Sequence, residues 1–272
     1  MGYRSIISLM PKNSVDADAQ AFLTAAAITD PTISGAINTL VVQMKADNIW
    51  SKMKAVYPMV GGTASTHKFN LKDPRDLDAA FRLQFNGGWT HSANGALPNG
   101  TNTYADTNLN QLSILNVNSN HISVYSRTNT NSGSGALFRL ECGITNNVTH
   151  SFNQIGMRAA LNQYSENGSH LINSAVSDSL GHAILTSTAS NAGKIYKNGS
   201  SIGTSTVTQT RALFNNTIYI GATRNVGSNP GAVYFSQREL AFSSIGDGLS
   251  DTEAANFYTA VQNFQTSLGR QV

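Results

Sequence analysis

Apolar residues recur at helical spacing through the first sixty positions of the chain. Asp16 or Ser14 can cap a helix whose apolar positions include Ala19, Phe22, Leu23 and Ala26. In "ITDPT", Asp30 stands as an N-cap and Pro31 takes the first helical position, where its missing N–H costs nothing. Ile33, Ile37, Leu40, Val41 and Met44 follow on one face. Asp47-Asn48 reads as a break, because Asn tolerates the left-handed conformation that ends helices. Ile49, Met53 and Val56 then extend one more short helix as far as Pro58. Such a stripe most simply packs into a core; docking on a partner is its other use.

From "VGGTAS" onward the pattern alternates. Short runs separated by Gly, Asn and Ser turns follow one another: "HKFNL", "AFRLQF", "QLSILNV", "HISVYS", "ALFRLECGI", "HAILTS", "KIYK", "TIYIGA" and "RELAFSSI". That spacing predicts an antiparallel sandwich or barrel. The chain closes on a helix. Ser250 and Glu253 form a capping box, and Ala254, Phe257, Tyr258, Val261, Phe264 and Leu268 make one apolar stripe. Gly269 stands where a left-handed C-cap is needed, so this helix is expected to lie on the sandwich.

"KIYKNGSSIGTS" (Lys194 to Ser205) allows two readings. Gly199 to Gly203 matches the G-x-S-x-G of a hydrolase nucleophile elbow, with Ser201 as nucleophile. An elbow hands a strand over to a helix, yet "TSTVTQT" is rich in β-branched residues, and no histidine follows His182. Asn198-Gly199 instead gives a two-residue type I′ turn that pairs Lys197 with Ser200, Tyr196 with Ser201 and Ile195 with Ile202. Ser201 is a hairpin residue.

Composition narrows the class. Charged residues make up 12% of the 272, against about a quarter in ordinary soluble domains, so Asn, Ser, Thr and Gly must carry the surface. The net charge is +3 without a basic cluster, which removes a nucleic-acid footprint. No apolar run reaches the roughly 18 residues of a membrane span, and the apolar part of "MGYRSIISLM" is too short for a signal peptide. Ile6 spoils the myristoylation pattern. The expected product is soluble and made in a cytoplasm. The single cysteine, Cys142, excludes an internal disulfide and a Cys-based metal site.

Catalytic and metal chemistry is sparse. His67, His91, His121, His150, His170 and His182 show no ligand-like spacing and read as surface or loop residues. A sandwich glycosidase needs two carboxylates flanking the bond. Between residues 110 and 235 only Glu141, Glu166 and Asp178 occur, none of them two or four apart. A hydrolase would have to assemble a pair from afar, such as Asp106 with Glu141. "GDGLSD" has the look of a calcium loop, but the helix cap explains it better. No catalytic residue, metal site or cofactor is assigned.

The order of segments resembles laminin-G-like, concanavalin A-type sandwiches. "LPNGTNTYADTNLN" is similar to their F-D-G-T-x-x-Y strand, and "HAILTSTASNAGKIYKNGSSIGT" to their Y-v-N-G hairpin. "TIYIGATRN" is similar to the l-x-i-G strand that follows, and "RELAFSSIGDGLSDTEAANFY" to the closing strand and helix. The family's usual Trp and acids around the hairpin are absent, which leaves the resemblance without ligands for a calcium site. Residues 16 to 270 as a whole also resemble a helical module followed by a lectin-like sandwich in structural proteins of tailed bacteriophages, crAss-like phages of Bacteroidetes hosts included. The resemblances imply a mainly β fold: an antiparallel jelly-roll sandwich, concanavalin A-like or laminin-G-like, preceded by a short helical module and closed by a C-terminal helix. Residues 1–60 would be an arm and docking module and residues 61–272 the sandwich. The implied protein is a non-enzymatic virion component of tail, fibre or head decoration. It would pack with other virion proteins as a homo-oligomer and present the sandwich to host-surface glycans.

A sugar site needs an aromatic platform beside amide and hydroxyl groups. "NGGWTHSANG" places Trp89 and His91 in a Gly-rich loop, with Tyr104 soon after, and these three are the candidate glycan-binding residues. The simpler reading of Trp89 is a buried anchor that pins the loop to the helices.

Overall fold

Side-chain caps set the two N-terminal helices. Helix α1 (Ala17–Ala25) begins at Asp16, whose carboxylate accepts the Asp18 N–H at 3.0 Å. Helix α2 (Pro31–Ala46) begins at Asp30, which accepts from Thr32 and Ile33, with Pro31 in the first turn. Asn48 ends the helical run in the left-handed conformation at φ 59. The computed structural model describes residues 15–132, 139–146, 151–159 and 162–272. The arm Met1 to Asn13, the alternative cap Ser14, His150 and the start of "ALFRLECGI" lie outside them.

The segment after Asn48 departs from the expected third helix. A single 3-10 turn (Trp50–Lys52) leads into strand β1 (Met53–Tyr57), which pairs antiparallel with strand β17 (Leu240–Gly246). Met53 and Val56 enter the helix-side core, whereas Ala55 and Tyr57 enter the core between the sheets. A strand buried on both faces reads as a continuous apolar run, which periodicity alone cannot tell from a helix.

Two antiparallel sheets stack face to face. The first runs β13 (Ser200–Ser205), β12 (Ala192–Lys197), β11 (Gly181–Ala189), β6 (Asn120–Ser126), β17, β4 (Gly95–Leu97) and β3 (Thr90–Ser92), with β1 beside β4 along the same edge of β17. The second runs β10 (His170–Ala175), β9 (Asn162–Asn167), β8 (Ser151–Ala159), β7 (Cys142–Asn146), β14 (Thr217–Ile220), β5 (Tyr104–Asn110) and β2 (Gln84–Asn86). Strand β15 (Thr223–Asn225) joins β7 in parallel and pairs with β16 (Gly231–Val233). Ile122, Val124, Leu185 and Ile195 of the first sheet meet Leu109, Ile144, Ile155 and Ile220 of the second.

A third layer covers the outer face of the first sheet. Phe22, Ile37, Val41 and Met44 share one core with Tyr125, Ile184 and Phe242 of the sheet and with Phe257, Val261 and Phe264 of helix α5 (Asp251–Ser267). The Ser250–Glu253 capping box opens α5, and Gly269 at φ 65 closes it. Its last turn bonds Gly269 N–H to Thr266 O and Arg270 N–H to Gln265 O, the reciprocal pattern that satisfies orphan carbonyls. Arg270 is buried and donates to the carbonyls of Pro58, Met59 and Ala241, tying the helix end to the end of β1. Contacts therefore cross residue 60 in both directions.

Several alternating runs form less strand than expected. "HKFNL" holds the end of a helical turn, α3 (Ala64–His67), capped by Thr63, and one isolated bridge at Asn70. "QLSILNV" is mostly a second turn, α4 (Gln111–Ile114), because Asn110 accepts from Leu112 and Ser113 N–H. "AFRLQF" turns left-handed at Phe81 (φ 61) and contributes only the start of β2. Conversely, β8, β9 and β10 carry no clean apolar alternation. Some of their buried positions are polar: Asn153 and Asn167 donate across the sandwich to Asn120, and Asn167 also to Ser187.

The hairpin forms as a type I′ turn, with Asn198 at φ 49 and Gly199 at φ 78. Lys197 faces Ser200 and Tyr196 faces Ser201, but Ile195 faces Gly203 and not Ile202. A bulge absorbs Ile202, whose carbonyl accepts from Ser174 Oγ at 2.6 Å on the edge strand of the opposite sheet. Both isoleucines still reach the inter-sheet core.

Candidate functional site

The two outer sheet faces differ. Helices α1, α2 and α5 lie on the first sheet, and none of these three packs on the second. Strand β5 shows why the second sheet offers chemistry outward. Ala105, Thr107 and Leu109 are buried, while Tyr104, Asp106, Asn108 and Asn110 alternate with them on the half-buried outer side. The β5–β14 register sets Tyr219 opposite Asp106, and Ile218 and Ile220 fill the core.

A stacked column results. The Tyr104 and Tyr219 rings lie 4.5 Å apart at 22°, and the Arg224 guanidinium sits 5.0 Å from the Tyr219 ring centroid. Arg224 Nη1 donates to Thr217 Oγ1 and reaches Asp106 Oδ2 at 3.4 Å. Burial pushes the Tyr219 hydroxyl pKa up, and the neighbouring Arg224 charge opposes that rise. Beside the column lies a cavity of about 410 Å³, walled by Asn216, Asn225, Val226 and Pro230. Asn225 braces the wall, donating to Asn229 O at 2.7 Å and accepting the Gly227 N–H at 3.0 Å.

Of the residues singled out in the sequence, Tyr104 stands in this column. Trp89 and His91 form a separate cluster near the sandwich end. Trp89 is half-buried, stacks on His91 at 6.3 Å and meets the edge of Phe85 at 5.3 Å. Its Nε1 donates to the carbonyls of Asn86 and Tyr104, so the indole fixes the backbone beneath the Tyr104 ring. Gly221, at φ 79, has no room for a side chain against the Trp89 ring. Trp89 is thus packed against the second sheet rather than against the helices. His91 Nδ1 lies 3.0 Å from His67 Nδ1, and His67 Nε2 accepts the Gly62 N–H. That leaves His67 Nδ1–H as the donor between the rings. Burial, with repulsion from His91 and Arg270, lowers the His67 pKa to about 3, so His67 is neutral at neutral pH.

The histidines correct the surface expectation. His67, His121, His170 and His182 are buried, His91 is half-buried, and His150 lies outside the described residues. His121 spends its nitrogens on Asp247 O and Ser244 Oγ. His182 sits in a cage of Tyr125, Phe242 and Phe257 under α5. An imidazole body is apolar enough to fill such space when it stays neutral.

The carboxylates are engaged as well. Glu141 is fully buried, pairs with Arg238, and accepts from Ser236 Oγ and the Met157 N–H. Asp106 instead accepts the Asn108 N–H and faces Arg224. Asp178 pairs with Lys197, and Glu166 accepts from Gln154. In "GDGLSD", Asp247 pairs with Lys54 and Asp251 with Lys194, while Ser250 belongs to the capping box. Among the described residues no group of three or more His, Cys, Asp or Glu could hold a metal ion. No helix among them is long and apolar enough to cross a membrane.

No protein-family model and no curated protein matches this chain. Solved structures match at the level of fold. A botulinum neurotoxin type C structure, described by its dependence on two ganglioside molecules for cell entry, aligns with TM-score 0.56 and 13% identity over 80% of this chain and 53% of that one. The binding domain of botulinum neurotoxin DC in complex with rat synaptotagmin II aligns with TM-score 0.51 and 13% identity, over 79% and 52%. Domain 4 of a Geobacillus stearothermophilus arabinanase, in complex with arabinotriose, aligns with TM-score 0.47 and 13% identity over 76% of this chain and 98% of that one. The chain spans about half the length of the two toxin chains. The fold is a two-sheet, mainly antiparallel β-sandwich with a C-terminal helix.

Proposed function

We propose that this chain is a glycan-contacting attachment module, non-enzymatic, whose contact surface is the outer face of the second sheet. One observation carries the reading. The Tyr104–Tyr219 stack stands beside amide, hydroxyl and guanidinium groups on the sheet without the three long helices, the mix that a sugar's CH face and hydroxyls require. Tyr104 makes the contact, while Trp89 and His91 hold its strand in place. Glu141 and Asp106 are each held by an arginine, an arrangement suited to structure more than to acid–base exchange. The toxin structures of the same fold are described with a ganglioside dependence in one case and a protein partner in the other, so the architecture is compatible with attachment.

The setting we propose is a phage particle, in which residues 1–60 face neighbouring virion proteins and the chain assembles as a homo-oligomer. That setting rests on the sequence resemblance alone, and antibody labelling of particles by electron microscopy tests it. The binding proposal is tested on a glycan array with three proteins. The parent is expected to bind a defined glycan set, and Tyr104→Ala to lose it by on the order of tenfold. Trp89→Ala is expected to lower the melting temperature before it lowers affinity. Binding unchanged by Tyr104→Ala overturns the assignment of the face.

A further inference from the structure

The contact face carries a cation whose hydrogen-bonding capacity is only partly used. Among the described residues, the bonds of Arg224 run through Nη1, to Thr217 Oγ1 and, loosely at 3.4 Å, to Asp106 Oδ2. Nε and Nη2 remain for solvent or a ligand. The side chain is 26% exposed, lines the cavity of about 410 Å³, and sits over the Tyr219 ring at 5.0 Å from its centroid. A planar guanidinium fixed in this way has lost its rotamer freedom before a ligand arrives, and its free edge matches a carboxylate. No carboxylate is among the residues walling the cavity; the competing acid, Asp106, reaches the guanidinium only at Nη1, at 3.4 Å.

We propose that this site selects sugars bearing a carboxylate, with the carboxylate on the Nε–Nη2 edge of Arg224, the ring against the Tyr104–Tyr219 column, and Asn216 and Asn225 at the hydroxyls. The selectivity rests on the glycan-contacting reading above and deepens it. Two acidic sugar classes share this chemistry, hexuronates and nonulosonates. Asp106 weakens the site by attracting the same guanidinium, so neutralising it favours the ligand.

The test is affinity by calorimetry for two matched pairs: oligogalacturonate against its carboxyl-reduced form, and 3′-sialyllactose against lactose. The full chain is expected to prefer the acidic member of at least one pair by on the order of tenfold, and the pair that responds names the class. Arg224→Gln is expected to abolish the preference. Asp106→Asn, which keeps an acceptor for the Asn108 N–H, is expected to tighten acidic binding severalfold, a gain that misfolding cannot produce. Equal affinity within both pairs, lowered together by Tyr104→Ala, overturns the carboxylate selectivity and leaves the glycan reading standing. No binding to any of the four sugars, together with a blank glycan array, overturns both.

Discussion

The outer faces of the two sheets solve the same problem in opposite ways. Each strand presents one side chain in two away from the inter-sheet core. On the first sheet those positions are Tyr125, Ile184, Tyr196 and Phe242, and three helices bury them together with Phe22, Ile37, Phe257 and Phe264. On the second sheet, at β5 and β14, they are Tyr104, Asp106, Asn108, Thr217 and Tyr219, joined by Arg224. One face is finished by protein; the other is left for a ligand. The helix-side face should therefore carry stability and the other face recognition, and substitutions can separate the two.

The largest expected effect is on the covered face. Phe257 is fully buried against His182 and Phe242, so Phe257→Ala is expected to cost about 3–5 kcal/mol in chemical denaturation. Binding per folded molecule is expected to stay unchanged.

Acid gives the next effect. Burial holds His182 and His67 near pKa 3 and His121 near 4, against 6.5 for an ordinary histidine. The unfolded chain therefore binds more protons below about pH 6.5, and stability falls as pH drops from there toward the folded values. Above pH 6.5 this contribution is fully present. The three groups act in the same direction, each adding at most about 1.4 kcal/mol per pH unit to the slope. His182→Phe, placed in an aromatic cage, is expected to reduce the slope by about 1.4 kcal/mol per pH unit. An unchanged slope in that variant would show that His182 is not the buried neutral base described.

The smallest stability effect belongs to the other face. Tyr104 is half-buried, and Tyr104→Ala is expected to cost about 1 kcal/mol or less in the same denaturation experiment while weakening glycan binding by on the order of tenfold. A loss as large as that of Phe257→Ala would erase the distinction between the faces.

Much of this division can be read in the sequence where the determinants are local. The Asp30-Pro31 start, the Asn198-Gly199 turn, and the Ser250–Glu253 box with Gly269 each act within a few residues, and each forms as expected. Strands β6, β11, β12, β14 and β17 show as apolar runs because they line the cores. Strand β1 was hidden because its burial on both faces depends on β17, nearly two hundred residues away. Strands β8 to β10 were hidden because Asn153, Asn167 and His170 stand at buried positions where apolar residues would have marked alternation. The bulge at Ile202 follows from the meeting of two edge strands, which no hairpin rule contains.

The candidate site divides in the same way. Tyr104 was visible within its strand motif. Tyr219 and Arg224 are not legible as site residues in the sequence, since only the antiparallel β5–β14 register brings Tyr219 against Tyr104 and Asp106. The sequence carries one modest signal: in "TIYIGATRN", Thr217 and Tyr219 alternate with apolar residues and so share an outward face.

An amide chemical-shift titration of the full chain with the best-binding acidic glycan distinguishes the faces directly. Shifts are expected to cluster on β5, β14 and β15 around Tyr104, Tyr219 and Arg224, with α1, α2 and α5 silent. Shifts centred on the helical layer, or on the Trp89 loop without β14 and β15, would contradict the assignment of the second sheet as the contact face.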